Sequence, residues 1–166
     1  MIRIAKGGFS WIAPSCTITI LLLAASLLAS GSLQLLFFVF FVVFCILSAL
    51  LVIFFRDPQR PIGSGVVAVA DGRIREITQL NDADMGRCLR ISTFMNIHNV
   101  HVNRMPLDGT IEKITHYNGG HIPAFKKESE SNERVVLLIK TEIGLIKIVQ
   151  IAGTIARRII PYITIG

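Results

Sequence analysis

The chain changes character at Arg56. From Gly7 to Phe55 it has no Asp, Glu, Lys or Arg, and beyond that point charged residues recur throughout. One bilayer crossing takes about 20 apolar residues, so Trp11–Phe55 is too long for a single helix. The small, polar Ser30-Gly31-Ser32 divides the run into Pro14–Ala29 and Leu33–Phe55. This pattern predicts two helices in a hairpin, with both chain ends on one side. A cleaved signal peptide and a shallow re-entrant hairpin are the competing readings of the block. Downstream the period shortens to two. Val66–Ala70, Arg73–Thr78, Cys88–Phe94, Asn99–Asn103, Thr110–His116, Arg134–Lys140 and Leu145–Ile151 read as strands. Asp71-Gly72 and Asp108-Gly109 read as hairpin turns, and Asn118–Glu133 as the longest loop. The fold class is therefore mainly β: residues 1–55 form a membrane-associated hydrophobic hairpin. Residues 56–166 form a β-rich domain of catalytic type, a compact all-β sandwich or partly open barrel.

Composition sharpens this picture in two ways. The 52% hydrophobic content is concentrated in the amino-terminal block, so the second part has only a modest core. All eleven acidic residues and fifteen of the seventeen basic ones lie from Arg56 onward. The formal net charge of +6 suits a domain resting on anionic headgroups. The basic residues lack the aromatic interleaving of a nucleic-acid groove, and nucleic acid is excluded as a partner. Arg3 and Lys6 precede the hairpin and Arg56 and Arg60 follow it, which places both ends in the cytoplasm. Cys16, Cys45 and Cys88 form no CxxC pair, so no disulfide framework is expected.

Candidate chemistry centres on Phe94–Arg104, where His98 and His101 lie three apart. Histidine titrates near neutrality and suits proton transfer. On a strand, Val100 and Val102 would share one face, and His101 would share the other with Asn99 and Asn103. His98 has the opposite parity and joins His101 only through a bend. Two surface histidines on a hairpin explain the same letters. A metal site built from His98, His101, His116 and His121 is disfavoured, because neither a zinc-finger spacing nor His-Glu-x-x-His is present. Asp71 is a turn residue on local grounds, or else the carboxylate that orients a histidine.

Five blocks together resemble the phosphatidylserine decarboxylases of the short bacterial type. They are Phe54-Phe55-Arg56-Asp57-Pro58, then Val69-Ala70-Asp71-Gly72-Arg73-Ile74. Next comes Phe94-Met95 with Asn99-Val100-His101-Val102-Asn103-Arg104, Pro106 and Gly109. Ser129 through Asn132-Glu133-Arg134 is the fourth. Val149-Gln150-Ile151-Ala152-Gly153 with Ala156-Arg157-Arg158-Ile159 is the last. They occur in the family's order and span nearly all of the chain from Phe54.

The resemblance implies an enzyme that converts phosphatidylserine to phosphatidylethanolamine and CO2 in phospholipid biosynthesis. It implies a covalent pyruvoyl cofactor, made from the protein's own serine by autocatalytic cleavage, and a small subunit bearing it. Asp71 and His101 then belong to the self-cleavage triad, and His98 donates a proton during decarboxylation. Asn103, Arg104, Asn132 and Arg134 bind substrate. The family cuts at a Gly-Ser bond beyond the Ala-Gly-x-x-Ala-Arg-Arg run. Here the Gly-Ser pairs are Gly31-Ser32 and Gly63-Ser64, neither in that context. The expectation is that this chain is most of the larger subunit and is inactive without its pyruvoyl partner. Localisation follows as a bacterial inner membrane with the soluble part in the cytoplasm. Self-association into a homo-oligomer stays open. An inactive truncated homologue, a membrane-anchored β-domain that binds a partner, and archaetidylserine as substrate are the alternatives.

Overall fold

The computed structural model describes residues 2–123 and 131–166. Two units emerge: residues 1–62 with 95–104, and residues 63–94 with 105–166.

The first unit is built on the apolar block. Helix α1 spans Phe9–Leu28 and α2 spans Ser32–Phe55. At 1.5 Å per residue they are about 30 and 36 Å long, and both are long and apolar enough to cross a membrane. Gly31 makes the bend, with a φ of +64° that a side chain would resist. The hairpin is polar inside and apolar outside. Ser15 and Ser48 share a hydrogen bond of 2.8 Å, and Thr19 reaches Ser48 at 3.3 Å. Ser26 Oγ donates to Gln34 O. Ser15, Thr19 and Ser26 fall on one helical stripe, and Ser15 and Ser26 are buried. Leu21, Leu28, Leu35, Val43 and Ile46 are exposed. Small polar residues at the helix interface with aliphatics turned outward suit lipid, where packing and interhelical hydrogen bonds drive association.

A two-stranded clasp closes the open end. Strand β1 (Ile2–Ile4) pairs antiparallel with β2 (Arg56–Pro58), setting Arg3 opposite Asp57. Ala5 N donates to Phe55 O at 2.8 Å. The chain thus leaves the hairpin at the end where it entered.

The second unit is antiparallel β structure. Strands β3 (Arg73–Asp82) and β4 (Gly86–Phe94) form a hairpin. Strands β5 (Gly109–Tyr117), β6 (Arg134–Thr141) and β7 (Gly144–Ile151) form a three-stranded meander. Val135, Ala152 and Ile159 are its buried core, with Ile114 and Leu137 packed against them. The helical hairpin followed by a mainly β part is as the sequence pattern predicts. Among the described residues the sheets are open, with no closed barrel.

Two expected strands do not form. Val66–Ala70 makes bends rather than a ladder; Gly65 at φ +71° turns the chain, and Val67 N donates to Pro106 O. β-branched residues favour a strand only where a partner edge exists. Asn99–Asn103 is the second case, treated below. The Asp-Gly pairs are not hairpin turns either. Gly72 and Gly109 lie where backbones approach closely, and a Cβ would overlap the Phe94 carbonyl at one and the Lys140 carbonyl at the other. The true hairpin turns end at Gly86 (φ +65°) and Gly144 (φ +116°).

The β3–β4 turn is tied down electrostatically. Lys147 Nζ on β7 donates to both Asp82 oxygens at 2.9 Å and to Asp84 Oδ2 at 2.6 Å. Asp82 Oδ1 also accepts from the amides of Asp84 and Met85. The hydrogen bond from Lys147 leads in holding the Asp82 carboxyl below its ordinary 3.8. Asp84, then Asp82, raises Lys147 above its ordinary 10.5. An acid with a lowered folded value stabilises above 3.8 and loses that contribution as pH falls further; a raised lysine stabilises below 10.5 and loses it as pH climbs further. Exchange protection of the Asp84 and Met85 amides is therefore expected to stay flat through neutral pH. It should fall at both extremes; Lys147→Met should remove the alkaline limb and shrink the acid one, which the two amides on Asp82 still sustain. Protection that changes between pH 6 and 8 (about two units around neutrality) would contradict the tie.

Candidate active site

In the first unit, residues 95–104 fold against the exit of α2. Their backbone is captured locally rather than by a strand partner. Asn96 N donates to Asn99 Oδ1 at 2.7 Å, and Asn99 N donates to Asn96 O at 2.9 Å. Asparagine competes for backbone groups in this way and favours turns. The expected strand and its alternating faces are thus replaced by a turn at 97–99 and irregular chain over 100–103. Val100 is buried, but His101, Val102 and Asn103 are all half-buried, without alternation. His98 is exposed.

Three contacts fasten this loop. The Phe54 ring lies 4.1 Å from the His101 ring, tilted by 32°. Arg56 donates through Nη1 to Ile53 O and through Nη2 to His98 O, both at 2.7 Å. The first bond also satisfies a carbonyl at the helix end. Arg104 pairs with Asp57 and reaches Pro58 O at 3.5 Å. Phe54, Arg56 and Asp57 thus hold the histidine loop from 42 to 47 residues away.

His101 Nδ1 lies 3.0 Å from Asn99 O. A carbonyl only accepts, so Nδ1 bears the hydrogen and Nε2 is the basic nitrogen of the neutral ring. Asn103 Oδ1 is buried with no hydrogen-bond partner among the described residues. An orphaned buried acceptor is costly, and such groups mark places where a donor is wanted.

The second unit holds the other expected site residues. Asp71 is half-buried just before β3, and Gly72 beside it abuts the Phe94 carbonyl. Asn132 is wholly buried, at 0% exposure. Its Nδ2 donates to Ile122 O at 2.6 Å and Ala152 O at 2.8 Å, and its Oδ1 accepts from Ile122 N at 2.8 Å. Every bond of this amide goes to backbone, so its influence passes through the chain it joins. Arg134 lies over the Tyr117 ring at 4.6 Å, a cation–π distance. The structure thus groups His98, His101, Asn103 and Arg104 on one loop. It places Asp71, Asn132 and Arg134 in the second unit. Ser129 and the loop segment 124–130 lie outside the described residues.

Reading the sequence assigned no role to Glu133, His116 or Gly119. Glu133 Oε1 meets His116 Nε2 at 3.1 Å and accepts from Ile159 N at 3.4 Å. Gly119 lies against the Ser131 carbonyl, where a Cβ would not fit. Glu133 was visible only as a letter within the Asn132-Glu133-Arg134 block. His116 was weighed only as a metal ligand, and Gly119 had no local signal.

The family model described as phosphatidylserine decarboxylase matches residues 47–166. A phosphatidylserine decarboxylase proenzyme of Streptomyces coelicolor is 44% identical over 169 residues, covering 99% of this chain and 72% of the relative. Its counterpart in Streptomyces griseus is 45% identical over 99% of this chain and 73% of its own length. A Methanococcoides burtonii protein, provisionally named archaetidylserine decarboxylase proenzyme, is 39% identical over 98% of this chain and 74% of its own length. The matched region runs from within α2 through both histidines, Asp71 and the Asn132 anchor. On that extent and identity, this chain belongs to the phosphatidylserine decarboxylase family.

Proposed function

We propose that this protein decarboxylates the serine headgroup of a membrane phospholipid, phosphatidylserine, to leave phosphatidylethanolamine and CO2. The observation that carries the reading is the fastened histidine loop at the exit of a bilayer-length hairpin. It sets His101 beside Phe54, where the chain leaves the apolar block. In the overall reaction the bond from Cα to the carboxylate breaks and CO2 departs, leaving its bonding electrons on Cα. A proton then takes the vacated position. His98, exposed on the same loop, is assigned as donor of that proton. His101 is assigned as the base that activates a serine hydroxyl in self-cleavage, with Asp71 orienting it. Asn103 and Arg104 are assigned to the headgroup, Arg104 to its phosphate. Arg134 and Asn132 are assigned to the substrate as well, Asn132 acting through the backbone of Ile122 and Ala152 that it holds.

The family implies a covalent pyruvoyl group. When in place, its carbonyl supplies an electron sink. The residues present suit it: Asn103 Oδ1 and a basic His101 Nε2 are acceptors, and a substrate amine must shed protons to react with a carbonyl. A small subunit bearing the group is the implied partner. The helical hairpin anchors the chain, and by the flanking arginines and lysine the β part faces the cytoplasm of a bacterial inner membrane. A seryl phospholipid with archaeal chains presents the same headgroup, and a provisional name of that kind among the relatives keeps it as the second substrate.

The test is release of labelled CO2 from carboxyl-labelled phosphatidylserine. Membranes would come from cells expressing the full reading frame that encodes this chain. Mass spectrometry would be run for a pyruvoyl-capped amino terminus. Release that tracks the capped species is expected. No release from either seryl phospholipid would overturn the assignment.

A further inference from the structure

Glu133 makes more bonds than the strand it precedes requires. It sits just ahead of β6, and its amide donates to Gly120 O at 3.1 Å. Its carbonyl accepts from Ala152 N at 2.8 Å, just past the end of β7. Its side chain, 16% exposed, turns elsewhere. Oε1 accepts from His116 Nε2 on β5 at 3.1 Å and from Ile159 N at 3.4 Å. A carboxylate only accepts, so His116 holds a hydrogen on that nitrogen. All of these residues lie in the second unit.

One residue therefore grips both ends of a loop. The chain leaves the ladder at Ala152 and is caught again at Ile159. The main chain of Glu133 holds the first end, and its carboxylate holds the second. Both ends are buried beside Val135, Ala152 at 1% and Ile159 at 8% exposure. Between them Gly153 N donates to Ala156 O at 3.0 Å, and Arg157 Nε donates to Thr154 O at 2.9 Å. The side chains of Arg157 and Arg158 stay exposed. Burial of the Ile159 side chain is non-directional. The hydrogen bond to its amide is directional, and it fixes the line along which the main chain passes.

We propose that Glu133 is a positioning residue for self-cleavage: by closing the loop 152–159 it aims the chain that continues past Ile159. The proposal rests on the self-processing reading above, in which the bond that is cut lies beyond the Ala156-Arg157-Arg158 run. Self-cleavage needs a serine hydroxyl and the carbonyl before it in one geometry, and a misplacement of about 1 Å can cost roughly 100-fold.

Reach and charge can be separated at this position. Glu133→Gln keeps an oxygen at the same reach and loses the charge. Glu133→Asp keeps the charge and draws the oxygen back by one methylene, and 3.4 Å is already long for an amide donor. In the full reading frame that encodes this chain, Glu133→Gln is expected to self-cleave within about threefold of the parent rate. Glu133→Asp and Glu133→Ala should be slower by roughly 10- to 100-fold. The Asp and Gln variants decide the matter even where Glu133→Ala fails to fold. Limited trypsin digestion reads the loop without any self-cleavage. Cuts after Arg157 and Arg158, scored by mass spectrometry, should come several-fold sooner in the Asp and Ala variants and at the parent rate in Glu133→Gln. Loop cuts alike in the parent and every variant would overturn the proposal. So would self-cleavage of Glu133→Asp at the parent rate, or a Glu133→Gln proenzyme as slow as Glu133→Asp. A parent that never cleaves, with the loop still opened by Glu133→Asp, would overturn the self-processing reading and the positioning role with it, while the loop closure would stand.

Discussion

Replacing His101 with alanine is expected to slow self-cleavage of the proenzyme by roughly 100- to 10,000-fold, the usual worth of a positioned acid or base, and decarboxylation should fall with the fraction left uncleaved, since that fraction carries no pyruvoyl group. The geometry supports an effect this large. The ring is held on one side by Phe54 at 4.1 Å and at Nδ1 by the Asn99 carbonyl. A ring fixed in one tautomer presents its basic nitrogen in one direction. Phe54→Leu keeps the imidazole and loosens its seat. It should slow cleavage by a smaller factor than His101→Ala. Cleavage of the His101→Ala proenzyme at the normal rate would remove His101 from the mechanism. Cleavage of Phe54→Leu at the normal rate would show that the phenylalanine does not position the ring.

Asn132→Asp is expected to destabilise the second unit by about 3 kcal/mol or more, because two carbonyls lose their donor and a carboxylate is left facing them. Asn132→Ala should cost a similar amount for a different reason: Ile122 and Ala152 are left with buried backbone groups unmet. Surface substitutions usually stay within about 0.5 kcal/mol, so the contrast is easily read. Thermal melts of the detergent-solubilised chain would measure it, with Lys140→Ala as the surface control. An Asp variant as stable as the parent would show that the amide does not pin Ile122 to Ala152. Activity should fall with stability in both variants, since the amide touches backbone alone.

How much of this was legible in the letters depended on how local the cause was. The helical hairpin was legible because length, apolarity and the Ser30-Gly31-Ser32 break all act within one segment. Five of the seven expected strands correspond to β3–β7 within a few residues, because alternation and turn residues are local too. The two failures share a cause. Val66–Ala70 and Asn99–Asn103 have strand-forming residues but no ladder, and a missing partner edge is not written in the segment itself. At Asn99 the side-chain amide and a neighbouring carbonyl supply what a strand would have supplied. The Asp-Gly pairs misled for a related reason. Glycine is needed there because another backbone comes close, a requirement that can be known only once the partner is in place. The family resemblance named a set of candidate site residues. Its support was not: Phe54, Arg56 and Asp57 reach the histidine loop across more than 40 positions, and nothing in their spacing announces it.

The clasp of β1 on β2 has a consequence for how the protein is made. Ile2–Ile4 leaves the ribosome before the apolar block, and its partner Arg56–Pro58 is synthesised only after it. The first strand must therefore wait, unpaired, while both helices are made. The anchor closes when the strand ahead of the block meets the strand behind it. A tag fused ahead of Met1 would weigh on that last joining step. A leader peptidase acting inside the block would remove a strand that the finished anchor uses.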